Sequence, residues 1–98
     1  MSTRMIIELD DASGVRTVVD ALEAYKTRLQ AGIDRTSRRL AAFEARYGVP
    51  TARFLAEMTA DDLQIGDIEY VEWAGEAGIL EALEREQQEL THARYQLP

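Results

Sequence analysis

Glu69, Glu72 and Glu76 stand at i, i+3 and i+7, a spacing that lines them along one face of a helix. Carboxylates so placed could hold a hard cation through their oxygens. A di-metal carboxylate bundle, however, adds a Glu-x-x-His motif, and the single histidine, His92, stands in Thr91-His92-Ala93-Arg94 without one. The other use for an acidic face is contact with a basic protein surface. Tyr70 and Trp73 lie among the carboxylates at i, i+3, and aromatics at this spacing serve either a core or an interface as anchors.

The remaining chemistry is sparse. Cys is absent, which excludes disulfides, thiolate zinc sites and a cysteine nucleophile. His92 has no carboxylate at a useful spacing and reads as an exposed histidine at the negative end of a helix. Gly75-Glu76-Ala77-Gly78 is acidic and helical in context, unlike a phosphate-binding loop. Arg38-Arg39 has no interleaved aromatics. We therefore expect no enzyme, no metal and no cofactor.

Such a face needs elements to carry it, and the charge distribution shows where they lie. The chain has 98 residues, 46% of them apolar and 30% charged, with a net charge of −7. That composition suits one small folded domain, while the acidity disfavours nucleic acid as a partner. Residues 1–56 hold nine of the eleven basic side chains and seven acids; residues 57–98 hold two basic side chains, Arg85 and Arg94, and eleven acids. A basic half (net +2) and an acidic half (net −9) can attract each other within one chain or between two. No apolar run approaches the roughly 18–20 residues that span a bilayer, and Met1–Asp10 lacks a signal-peptide pattern. We expect a soluble, cytoplasmic protein with no membrane association.

Apolar periodicity supplies the elements. Val15, Leu22, Leu29, Thr36 and Phe43 form one seven-residue series, and Val19, Lys26, Ile33, Leu40 and Tyr47 a second, four residues on. Alternating steps of four and three define a coiled-coil seam, so a long helix is predicted over 15–47, starting near Ser13 or Gly14. Its length of about 50 Å at 1.5 Å per residue exceeds what a compact globule of this size covers. The C-terminal helix, a second copy, or both must cover the rest; we expect a dimer through Val15, Val19, Leu22, Leu29, Ile33 and Leu40. Gly48 and Pro50 end the helix. Thr51 is the expected N-cap of a short helix over 51–59 carrying Phe54, Leu55 and Met58, and a turn-rich stretch leads to a last helix over 67–95. Met5-Ile6-Ile7-Glu8-Leu9 is too short to assign as strand or helix.

The last helix contains a conflict of register. Leu83, Leu90 and Leu97 repeat by sevens, yet the same series extended backwards reaches Glu76 and Glu69. Ile68, Val71 and Gly75 form a second apolar stripe, rotated away from the first. Either the helix bends near Gly75 or Gly78, turning both stripes to one core, or the carboxylates point at a basic surface. The bend is the reading we favour from the residues alone.

From Phe43 onwards, the segments FEARYG (Phe43–Gly48), FLAEM (Phe54–Met58) and DIEYVEWAGE (Asp67–Glu76), followed by a Leu/Glu helix, resemble a group of small acidic helical proteins encoded beside toxins in prokaryotes. The resemblance spans Phe43 to about Leu97 and implies an antitoxin component of a toxin–antitoxin pair. It brings no catalytic residues with it. The expectation is an all-α, single-domain helical hairpin, 1–98. Its acidic C-terminal half would neutralise a cognate toxin or other basic protein through Phe54, Glu69, Tyr70, Glu72, Trp73 and Glu76. The alternative is a structural or adaptor coiled-coil oligomer in which the acidic half pairs with the basic helix.

Overall fold

The structure, a computed structural model, describes residues 1–57 and 68–95. Among these the protein is all-α, with three helices: α1 (Ala12–Tyr47), α2 (Thr51–Glu57) and α3 (Ile68–Thr91). The expected short helix extends at least to Glu57; Met58 and Thr59, the turn-rich stretch and Leu97 lie outside the described residues. Residues 1–9 adopt neither strand nor helix. None of the described helices is long and apolar enough to cross a membrane.

Asp11 caps α1: its carboxylate accepts from the Ser13 N–H at 3.0 Å and from the Ser13 hydroxyl at 2.5 Å, satisfying donors that a helix start leaves open. Those bonds hold the Asp11 carboxyl below its ordinary value, the Ser13 hydroxyl contributing most. The helix ends at Gly48, whose φ of 70° and ψ of 23° are left-handed and whose N–H reaches the Glu44 carbonyl at 2.8 Å. Any side chain there would be strained.

Thr51 is the first residue of α2 rather than its cap. The Glu44 carboxylate, reaching across from α1, accepts the Thr51 N–H at 2.7 Å, and the Pro50 carbonyl accepts the Phe54 N–H at 3.0 Å. The Thr51 hydroxyl is thereby left for another use, and accepts the Trp73 indole N–H at 2.9 Å.

Helices α1 and α3 run antiparallel. Arg46 pairs with Glu69 at 2.6 Å, Arg39 with Glu76 at 2.5 Å, and Gly32 lies against Leu83. Both helices thus advance in matching steps of seven. A Cβ on Gly32 would stand 3.2 Å from Leu83 Cδ1, so the missing side chain lets the helices approach closely there. Further along, Gln87 donates to Gln30 at 2.5 Å and Tyr25 donates to Glu86 at 2.7 Å. Leu29, Thr36 and Leu40 are buried along this seam.

Helix α3 is one α-helical run through Gly75 and Gly78, and the expected bend is not what settles its register. Ile68 remains 72% exposed and Val71 48% exposed, so the second stripe faces outward instead of joining the core. Glu69 and Glu76 can occupy the seam positions because α1 sets an arginine against each.

Candidate functional site

The aromatic residues of the acidic half converge on the closed end of the hairpin. Trp73 is 0% exposed. Its ring stacks on Phe54 with centroids 3.9 Å apart, and on Phe43 and Tyr47 at 5.6 Å each. Tyr70 meets Phe54 and Tyr47 edge-on, at 5.4 Å in both cases. Such pairs add about 0.5–1.5 kcal/mol each beyond the area they bury. The Tyr47 hydroxyl also donates to the Glu69 carboxylate, so one carboxylate serves both Tyr47 and Arg46.

Of the expected partner-binding residues, Phe54 and Trp73 are therefore buried within the chain, and Tyr70 is half-buried. Glu69 and Glu76 face α1, while Glu72 is exposed. The three carboxylates do not converge on a common point, and among the described residues no group of three His, Cys, Asp or Glu side chains is placed to hold a metal ion. Of the expected interface residues, Leu29 and Leu40 lie under the chain's own α3, and Val15, Val19, Leu22 and Ile33 are half-buried.

Two grooves flank the α1–α3 seam. One, about 690 Å³, lies between Arg39, Phe43 and Arg46 on α1 and Glu72, Glu76 and Ile79 on α3. Its lining charges balance, Arg39 and Arg46 against Glu72 and Glu76, and both arginines are paired, Arg39 with Glu76 and Arg46 with Glu69 outside the groove. The opposite groove, about 730 Å³, is framed by all three helices, with Leu40, Leu55, Ala77 and Leu80 below and Glu44, Glu81 and Glu84 among its polar lining. Arg85 also lines it, but no ion pair among the described residues engages Glu81, Glu84 or Arg85. This groove is apolar at its base, acidic at its edge and open to solvent. Sequence reasoning missed it because α2 completes it, although Ala77, Leu80, Glu81, Glu84 and Gln88 follow the spacing of one helix face.

His92 is exposed just beyond the end of α3. No family model, curated protein or solved structure matches the chain.

Proposed function

We propose that the chain is a non-catalytic protein-binding module that takes a basic amphipathic helix of a partner protein into the acidic three-helix groove. The carrying observation is that Glu81 and Glu84 line the groove beside Leu40, Leu55 and Leu80 and make no ion pair among the described residues. Apolar side chains of the incoming helix would cover Leu40, Leu55 and Leu80, while its Lys or Arg residues would meet the carboxylates. The net −9 of residues 57–98 would steer such a partner and speed encounter, an effect that salt weakens. The resemblance over Phe43 to about Leu97 supports the more specific reading of an antitoxin-like inhibitor, in which that partner is the cognate toxin.

A pull-down from the native cell, comparing the wild-type chain with Glu81→Lys/Glu84→Lys and with Glu72→Lys, tests the groove. Under this reading a basic protein is retained by the wild type and by Glu72→Lys, weakly at high salt, and lost by the groove variant. Expression of that protein alone then arrests growth, and co-expression of the wild-type chain relieves the arrest.

A second reading, the structural or adaptor hairpin, is favoured by the Arg46–Glu69 and Arg39–Glu76 pairs, which use acidic side chains to hold the chain's own fold. Equal capture by wild type and groove variant would select it.

A further inference from the structure

The two long helices are unequal. With 36 residues in α1 and 24 in α3, their lengths at 1.5 Å per residue are about 54 and 36 Å. They are flush at the closed end, where Glu69 near the start of α3 pairs with Arg46 near the end of α1. The excess therefore lies at the N-terminal end of α1, and the long dimension of the molecule, 57 Å, is close to that of α1 alone. Among the described residues, no hydrogen bond or ion pair from the C-terminal side reaches α1 before Glu23. The apolar seam does not stop there: Val15, Val18 and Leu22 continue the stripe that α3 covers from Leu29 to Tyr47.

We propose that this overhang is a self-association surface, in which the first turns of α1 from two copies pack antiparallel about a two-fold axis near Val18. Three observations select a second copy. The seam here is only half-buried at Val15, Val18 and Leu22, it is continuous with an interface that is already helix against antiparallel helix, and a second overhang would lie along the line in which α3 would have continued. Residues 12–22 carry only Arg16 and Asp20, which pair with each other at 3.1 Å. This stretch is thus electrically neutral in a chain of net −7, and two copies can approach through it without strong repulsion. The charges beyond it decide direction. Antiparallel overlap brings the acidic tip (Glu8, Asp10 and Asp11) of one copy beside Lys26 and Arg28 of the other. Parallel overlap sets the two acidic tips against each other, which like-charge repulsion disfavours.

Sedimentation of the purified full chain, with no partner present, reads this out independently of the groove. The wild type should be a dimer. Val18→Asp with Leu22→Asp should raise the dimer dissociation constant at least tenfold, with a retained helical circular-dichroism spectrum. Lys26→Glu with Arg28→Glu should weaken association, and Glu8→Lys with Asp10→Lys in the same chain should restore it. The chain has no cysteine, so direction can be read from one introduced thiol. Val18→Cys should form an intermolecular disulfide readily, whereas Leu22→Cys, displaced from its symmetry mate along the antiparallel pair, should not. A monomeric wild type, a dimer that survives the double aspartate change, or equal cross-linking at both positions would overturn the proposal.

Discussion

The rings of Phe54 and Trp73 lie 3.9 Å apart at an interplanar angle of 2°, joining the short helix to the last one face to face. Phe43 and Tyr47 stack on the same indole, so Trp73 bridges aromatic side chains from both other helices. Its one polar atom is satisfied by Thr51. Burial without a lost hydrogen bond is the condition under which an indole contributes its full apolar area.

Replacing that ring should be costly. Trp73→Ala is expected to remove about 3–5 kcal/mol, a large share of the total stability of a small domain. Trp73→Phe keeps most of the stacking and gives up the bond to Thr51, at about 1 kcal/mol plus the lost area. Urea unfolding followed by circular dichroism ranks the two; equal losses would show that the hydrogen bond, not the ring, dominates.

Gly75 and Gly78 should be replaceable with profit. A Cβ at either position meets nothing within 4 Å, both lie inside α3, and neither has a positive φ. Alanine there should therefore stabilise by about 0.5–1 kcal/mol per site. Each kcal/mol corresponds to a rise of roughly 4–8 °C in Tm, measurable by a thermal melt. Gly32 is the contrast: its contact with Leu83 should cancel the same gain for Gly32→Ala and turn it into a loss for Gly32→Val.

The arginine–carboxylate pairs predict a split among the glutamates. Glu69→Lys with Glu76→Lys opposes Arg46 and Arg39, and should destabilise the hairpin by about 1–3 kcal/mol, above the usual surface value because Glu76 is only 15% exposed. Glu72→Lys, on the solvent side, should change stability by less than about 0.5 kcal/mol. Adding Arg46→Glu and Arg39→Glu to the first variant should recover most of the loss, and a double-mutant cycle in denaturant measures it.

Alkali should loosen the open end. The Tyr25 hydroxyl donates to Glu86, and that bond, followed by slight desolvation and the nearby carboxylate, raises the Tyr25 pKa above its ordinary value of 10.0. A raised folded-state value means the contribution is complete below pH 10 and is lost as the pH climbs through the folded pKa. At the other extreme the lowered Asp11 value gives a contribution present above pH 3.8 and lost as the pH falls through the folded pKa. Ultraviolet titration of tyrosinate should show one fewer late-ionising tyrosine in Glu86→Gln than in the wild type.

Much of the fold is legible in the residues. The seven-residue repeats mark α1 and Gly48 and Pro50 mark its end, while its start, expected near Ser13 or Gly14, falls at Ala12 with Asp11 as the cap. The acidic register of α3 is legible only in combination: Glu69 and Glu76 look misplaced until set against Arg46 and Arg39, which are also seven apart. Reading one helix at a time makes a bend at glycine the economical answer, because the compensating charges are about 30 residues away. Trp73 shows the same difficulty. An i, i+3 aromatic pair suits a core or a surface equally, and only the arrival of Phe43, Tyr47 and Phe54 from other helices decides for the core. The groove beside Glu81 and Glu84 depends on where α2 docks, which no local pattern states.

The matched steps of seven have a consequence for error. A helical hairpin built on a plain heptad repeat can slide by one repeat and still bury apolar side chains. Here a slide that sets Glu76 against Arg46 leaves Glu69 unopposed and presses Leu83 onto Arg39, although Leu90 can take the place of Leu83 at Gly32. The opposite slide leaves Arg46 without Glu69 and forces Glu76 towards Gly32. The two arginine–carboxylate pairs therefore act as the teeth of a key that neither slide fits completely, and the missing side chain at Gly32 adds a second obstacle to the slide that would bring a carboxylate there.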